Sequence, residues 1–447
     1  MRNFIRCILI FSMALVLTIA LMPNQLFRIL DSPATGDASE EHSGGSDSTT
    51  PTMAIELRAV DGGAEYYSRF HNSLPGDDEY FPIAVWMESV VDDEGLNLDL
   101  DIGLNTYLAL VPGSDVKKIQ DAGMSALFSW DGQNRNGWVY PDEVDMWAGP
   151  GSSRWSGNGI GGGDICIPAA SKCGYTVMSE SKKVAPDNVL TYANFGKGVT
   201  FWELDDEAKR FVNGVQDVVS ADNYWFTDPG ICGFSEGGVI QGGGLELPET
   251  DCRMASNYGW TVSRLRSMIE PQGSKPVWAL VEVGHPSDNP SAPTIKPEQI
   301  GAAVWSSIVH GARGIVYFNH SFAGPCVSQH VLRDCGSRLR DQVRAVNRQL
   351  RDLAPVLNAP FAINAISAGP GADIAVKAHD GELYVIGTST KTEPNVVDFQ
   401  ARCEVGATVE VLGEDRSIPM EGQKWSDEFS TPNSVHIYRL DAPRCLP

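Results

Sequence analysis

Between Phe81 and Asn319, short apolar runs recur with helix-like segments between them, and this alternation limits the fold more than any other feature of the chain. The strand candidates are Phe81–Glu88, Leu104–Val111, Ser125–Trp130, Gly137–Pro141, Val189–Phe195, Val218–Asn223, Val277–Glu282 and Gly314–Asn319. Several are continuous apolar runs, the pattern of strands covered on both faces. Helices are expected over Asp115–Ala122, Glu203–Gly214, Ala255–Ile269, Pro297–His310 and Ser337–Leu353. The last carries Leu339, Val343, Val346, Leu350 and Leu353 at steps of four and three, an ordinary core stripe. Eight strands alternating with helices predict an α/β chain, a (β/α)8 barrel over residues 80–354. One unit is irregular. Six residues separate Trp130 from Gly137, too few for a parallel crossover with a helix.

After Pro355 the pattern changes to short alternating strands at Ile374–Lys377, Glu382–Gly387, Asn395–Gln400, Thr408–Leu412 and Ser434–Leu440, with a hairpin turn at His379-Asp-Gly381. Residues 355–447 are therefore expected to form a small antiparallel β domain. At the other end, Arg2 and Arg6 precede an apolar run from Cys7 to Met22, the pattern of a signal peptide with a passable cleavage site at Thr18-Ile-Ala20, or of an uncleaved membrane anchor. Residues 23–79 read as a linker and lead-in, with 32–52 too rich in Ser, Gly, Thr and Asp to bury a core.

Cysteine usage agrees with export to the cell surface or beyond. One of nine cysteines lies in the signal segment, leaving Cys166, Cys173, Cys232, Cys252, Cys326, Cys335, Cys403 and Cys445. An even set in an exported chain suggests disulfides. Sequential pairing is the simplest arrangement. No metal-ligand spacing occurs among them. A formal charge of −23 argues against nucleic acid or anionic lipid as the main partner. The Gly-rich stretches Gly157–Gly163 and Gly237–Gly244 do not join a strand to a helix as a phosphate-binding turn does, and no GxSxG elbow is present.

Barrel chemistry sits at the C-terminal ends of strands. Those ends supply Trp86, Trp130, Asp142, Glu143, Asp145, Trp147, Asn194, Asp222, Tyr224, Trp225, Glu282, His285 and His320. Aromatic faces stack on sugar rings, while Asn, Asp and His bond to hydroxyls. Hydrolysis of a glycosidic bond needs two carboxylates, one to donate a proton and one to attack or to activate water. Glu143 and Glu282, from the fourth and seventh strands, are the expected pair. Asp142, Asn194, Asp222, Tyr224, His285, His320 and the tryptophans are the expected carbohydrate contacts. None of this requires a cofactor.

Glutamates at the ends of strands four and seven resemble those of the clan A retaining glycoside hydrolases. Residues Ala303–Phe318 look like the seventh-helix and eighth-strand segment of their β-galactosidase-like members. The resemblance implies Glu143 as acid/base, Glu282 as nucleophile, and Tyr224 as a hydrogen-bond partner of the nucleophile. Those families carry Asn-Glu at strand four where this chain has Asp142-Glu143, so Asp142 and Asp145 remain alternative proton donors. Rival expectations are an inactive barrel that binds cell-surface glycans, and a polysaccharide esterase or lyase.

Overall fold

The computed structural model describes residues 55–241, 244–443 and 445–446. Eight short parallel strands lie within the expected runs: β1 (Ile83–Trp86), β2 (Thr106–Leu108), β3 (Ser125–Leu127), β4 (Trp138–Val139), β5 (Thr191–Phe195), β6 (Val218–Ala221), β7 (Ala279–Glu282) and β8 (Ile315–Phe318). They form a five-stranded sheet ordered β7-β8-β1-β2-β3 and a three-stranded sheet ordered β4-β5-β6. The ladder thins to one parallel bridge at each seam, Leu127 with Gly137 and Val219 with Val277. At the second seam the Trp278 amide donates to the Val219 carbonyl at 2.9 Å. No helix separates β3 from β4, as the six-residue gap requires.

Side chains alternate across these strands with period two. Ala84, Trp86, Leu108, Leu127, Tyr192, Val218, Trp278, Leu280 and Val316 share one inner cluster. Ile83, Val85, Tyr107, Ala126, Phe195, Val219, Val281 and Ile315 face the helices. Extending the inner row by two residues on a strand reaches Asn194, Asp222, Glu282 and Phe318. Alternation thus sends the polar strand-end residues toward the mouth.

The lead-in is corrected by the structure. From Ile55 on, the chain is folded. Tyr66, Tyr67 and Leu74 are buried in the inner cluster, where the Trp278 indole donates to the Tyr67 hydroxyl at 2.9 Å and the Tyr66 hydroxyl to the Asp217 carbonyl at 2.8 Å. Glu56–Arg58 pairs antiparallel with Phe361–Ile363. Two tyrosines in a polar stretch carry no periodicity, and their burial depends on partners 151 and 211 residues away. The signal segment and residues 32–52 lie outside the described residues.

The C-terminal region is antiparallel, as expected. Glu56–Arg58 joins Phe361–Ile363, Ala372–His379, Glu382–Ser389, Val435–Asp441, Thr408–Val411 and Arg416–Pro419 in a seven-stranded sheet, and Ile366–Ala368, Asn395–Ala401 and Lys424–Phe429 make a second of three. The turn between His379 and Glu382 has Asp380 and Gly381 at φ of 50° and 79°, a conformation that suits Asp-Gly.

Four disulfides join the cysteines sequentially, Cys166–Cys173, Cys232–Cys252, Cys326–Cys335 and Cys403–Cys445. They are consistent with an extracellular chain. Among the described residues no helix is long and apolar enough to cross a membrane. Cys403 and Cys445 are 42 residues apart. Replacing both with Ala is expected to cost about 4 kcal/mol through the lost loop restraint, read as a lower urea midpoint.

Candidate active site

Three carboxyl groups converge where β4, β5 and β6 end. Glu143 has φ of 48°, a left-handed conformation rare for a side-chain-bearing residue, and it opens the short helix Val144–Trp147. Its amide donates to the Asn194 carbonyl at 3.1 Å. This bend points the Asp142 and Glu143 side chains in from the end of β4. Asp142 Oδ1 accepts from the Asn194 amide at 2.9 Å, and Ser220 on β6 donates to Asn194 Oδ1, fixing that amide. The Trp147 indole donates to the Asp142 carbonyl at 2.6 Å, so Trp147 braces the turn.

Asp222 Oδ2 accepts from the Tyr224 hydroxyl at 3.1 Å. Its Oδ1 is buried and meets no amide or hydroxyl donor, and the Glu143 and Asp222 charges act on each other. Buried carboxyls that repel in this way resist ionising together. Burial, then the neighbouring Asp142 and Asp145 charges, pushes Glu143 up to about 8. Burial, then Glu143, raises Asp222 well above the usual carboxylate range. Asp142 is pushed up to about 6, mainly by burial, against the pull of its Asn194 bond. The Tyr224 hydroxyl favours the anion on Asp222, against the larger effects of burial and of the Glu143 charge. Lys197, paired with Asp228 and Glu236, adds a nearby positive charge.

Glu282 occupies different surroundings. Its side chain is fully buried. Oε1 accepts from the Tyr258 hydroxyl at 2.6 Å and the Phe226 amide at 2.8 Å. Oε2 is buried without a partner among the described residues. Burial pushes this carboxyl up to about 7, and the Asp228 charge adds to the rise. The tyrosine that holds Glu282 is therefore Tyr258, from the helix Ser256–Met268, whereas Tyr224 serves Asp222.

Several other expectations change. Trp86 and Trp225 are core residues, 2% and 0% exposed. Trp86 lies in the inner cluster, and the Trp225 indole donates to Thr261 Oγ1, so neither offers a face to a sugar. Trp130 stacks on Phe128 at 4.3 Å and donates to the Leu110 carbonyl. His285 is fully buried, with Nδ1 bonded to Thr294 and Nε2 to the Asn289 carbonyl. That imidazole organises its own loop. Asp145 accepts from the Gly196 and Val199 amides and anchors the chain after β5, which accounts for its burial without a role in proton donation. His320 reaches the rim, and burial holds its imidazole below the ordinary pKa. Sequence reasoning missed Tyr258, Ser220 and Lys197. All three act through partners distant in the chain, and none ends a strand. A surface recess of about 410 Å³, lined by Ser152, Tyr175, Arg210 and Phe211 among others, is bordered by none of the three clustered carboxylates.

No family model and no curated relative matches the chain. Among solved structures it is similar to an α-amylase from Geobacillus thermoleovorans, with 11% identity over 81% of this chain and 98% of that one, at a TM-score of 0.47. It is also similar to a GH30 endoxylanase from Clostridium papyrosolvens C71, with 10% identity over 88% and 98% and a TM-score of 0.44. A third is a putative α-galactosidase/melibiase from Bacteroides fragilis NCTC 9343, with 11% identity over 83% and 80% and a TM-score of 0.46. Likeness at this level leaves the activity to be argued from the site.

Proposed function

We propose that this chain is an exported glycoside hydrolase built on a (β/α)8 barrel, in which the two parallel sheets close through their single-bridge seams. The observation that carries the reading is the convergence of buried Asp142, Glu143 and Asp222 at the ends of β4 and β6, with Asp142 bonded to Asn194 and Asp222 to Tyr224. Glu143, protonated near neutral pH, gives its proton to the leaving glycosidic oxygen. Asp222, held as an anion by Tyr224, attacks the anomeric carbon and forms a glycosyl-enzyme ester. Glu143, now ionised, takes a proton from water, and that water displaces Asp222. Asp142 and Asn194 then serve sugar hydroxyls beside the reacting carbon.

A second reading keeps Glu282 as nucleophile. It is supported by the unpartnered Oε2, an oxygen that lacks the hydrogen bonds a structural carboxylate normally has. Against it stands the complete burial of Glu282.

Incubation with a panel of neutral oligosaccharides tests the function. New reducing ends, with the anomeric configuration of the first product retained by proton NMR, are expected. Unsaturated sugars would indicate lyase chemistry, released acyl groups an esterase, and binding without products an inactive glycan-binding barrel.

A further inference from the structure

A second constellation lies on the rim between β8 and β1, outside the carboxylate chemistry. The Tyr224 ring, whose hydroxyl reaches Asp222, is 5.0 Å from Phe318. Phe318 is in turn 5.3 Å from His320 and 6.5 Å from Phe322. Phe322 is 38% exposed, and Phe318 and Tyr224 are half-buried. An aromatic wall therefore runs from the carboxylates outward to solvent.

His330 stands near the outer end of this wall: the amide of the next residue, Val331, donates to the Asn319 carbonyl at 3.1 Å, next to His320. Its Nδ1 is 2.6 Å from Oε1 of Glu88, a carboxylate that is itself fully buried. Glu88 also accepts from the Ser89 amide and from Asn319 Nδ2, and it pairs with Arg333. Its hydrogen bonds are thus supplied without the histidine. The loop that presents His330 is closed by Cys326–Cys335 and fastened by Leu332 to Asn319 and by Arg333 to Asp99. The imidazole is held by Nδ1, its ring is 38% exposed, and Nε2 makes no hydrogen bond among the described residues. A fixed polar tip beside open aromatic faces is the arrangement that recognises a sugar, with stacking on its C–H face and a hydrogen bond to a hydroxyl.

We infer that Phe318, Phe322 and His330 form a second carbohydrate subsite, beyond the one at the carboxylates, that takes a further neutral pyranose unit of the same chain. This rests on the glycosidase reading above. It makes the enzyme one that gains from longer substrates and assigns the gain to three residues outside the expected site.

The test measures kcat/KM for malto-, xylo- and cello-oligosaccharides of increasing length, with wild type, Phe322→Ala and His330→Gln. The gain in kcat/KM on adding the sugar unit that reaches the subsite is expected to fall about tenfold in each variant, with Tm unchanged. An equal gain in all three proteins would overturn the inference. So would a uniform fall at every length accompanied by a lower Tm, the mark of a structural role. If wild type cleaves none of these glycans, the function reading fails separately. Calorimetric titration of the same oligosaccharides then decides the subsite: weaker binding to Phe322→Ala and His330→Gln upholds it, and equal binding, or none to wild type, overturns it.

Discussion

Glu143→Gln is expected to lower kcat by about 10²–10⁴-fold, the range for losing a positioned proton donor. The effect depends on pH in a specific way. With Glu143 pushed up to about 8 by burial and then by Asp142, wild-type activity falls on the alkaline side as that proton leaves. The residual activity of Glu143→Gln lacks this alkaline limb. Stability moves in the opposite direction. The folded protein keeps a proton on Glu143 that the unfolded chain releases above the ordinary value of 4.5. This site's contribution to stability is therefore full below that value and is lost as pH rises through about 8. Glutamine removes that dependence. The Tm difference between Glu143→Gln and wild type is expected to grow in the variant's favour from pH 5 to pH 8, by about 2–4 °C for each kcal/mol recovered. A residue whose loss stabilises the fold and abolishes turnover is held there for chemistry.

Trp278→Ala should destabilise the protein by about 3–5 kcal/mol, the usual result of truncating a large aromatic in a packed core. Trp278 is fully buried, lies 5.6 Å from Tyr192 and 6.3 Å from Tyr67, and donates the hydrogen bond that ties the lead-in to the inner cluster. The cavity would open where Tyr66, Tyr67 and Leu74 enter the inner cluster. Proteolysis between residues 55 and 79 is therefore expected to speed up in the variant. Loss of stability without faster cleavage there would mean that the lead-in is held chiefly by its strand pairing with Phe361–Ile363.

The eight parallel strands were legible because each is a compact apolar run, and a fully covered strand needs little else. The interior row was legible too, since alternation extends Val218 and Ser220 to Asp222. The lead-in was not, because Tyr66 and Tyr67 sit among polar residues and find their partners across the whole chain. The strand Lys424–Phe429 was also missed: three of its six residues are charged, and one of them, Asp427, is buried beside Trp425 and Phe429, which fill the second sheet's core. At the site, Asp142, Glu143, Asn194, Asp222 and Tyr224 were found as strand-end residues, and the structure brings them together. What strand position could not convey is the direction of a carboxylate at the rim. Glu282 ends its strand on the interior row, yet its Oε1 is taken up by Tyr258 and the Phe226 amide, donors from a helix and a loop. Trp86 and Trp225 show the same limit, since a tryptophan at a strand end is as well suited to close a core as to face a ligand.

The most direct test of the carboxylate assignment is reducing-end release by wild type, Asp222→Asn and Glu282→Gln on a glycan that the wild type cleaves, each assayed well below its own Tm. The account predicts that Asp222→Asn loses at least about a hundredfold in kcat, while Glu282→Gln keeps most of the wild-type rate. Full activity in Asp222→Asn together with an inactive Glu282→Gln would contradict it and return the nucleophile to the end of β7.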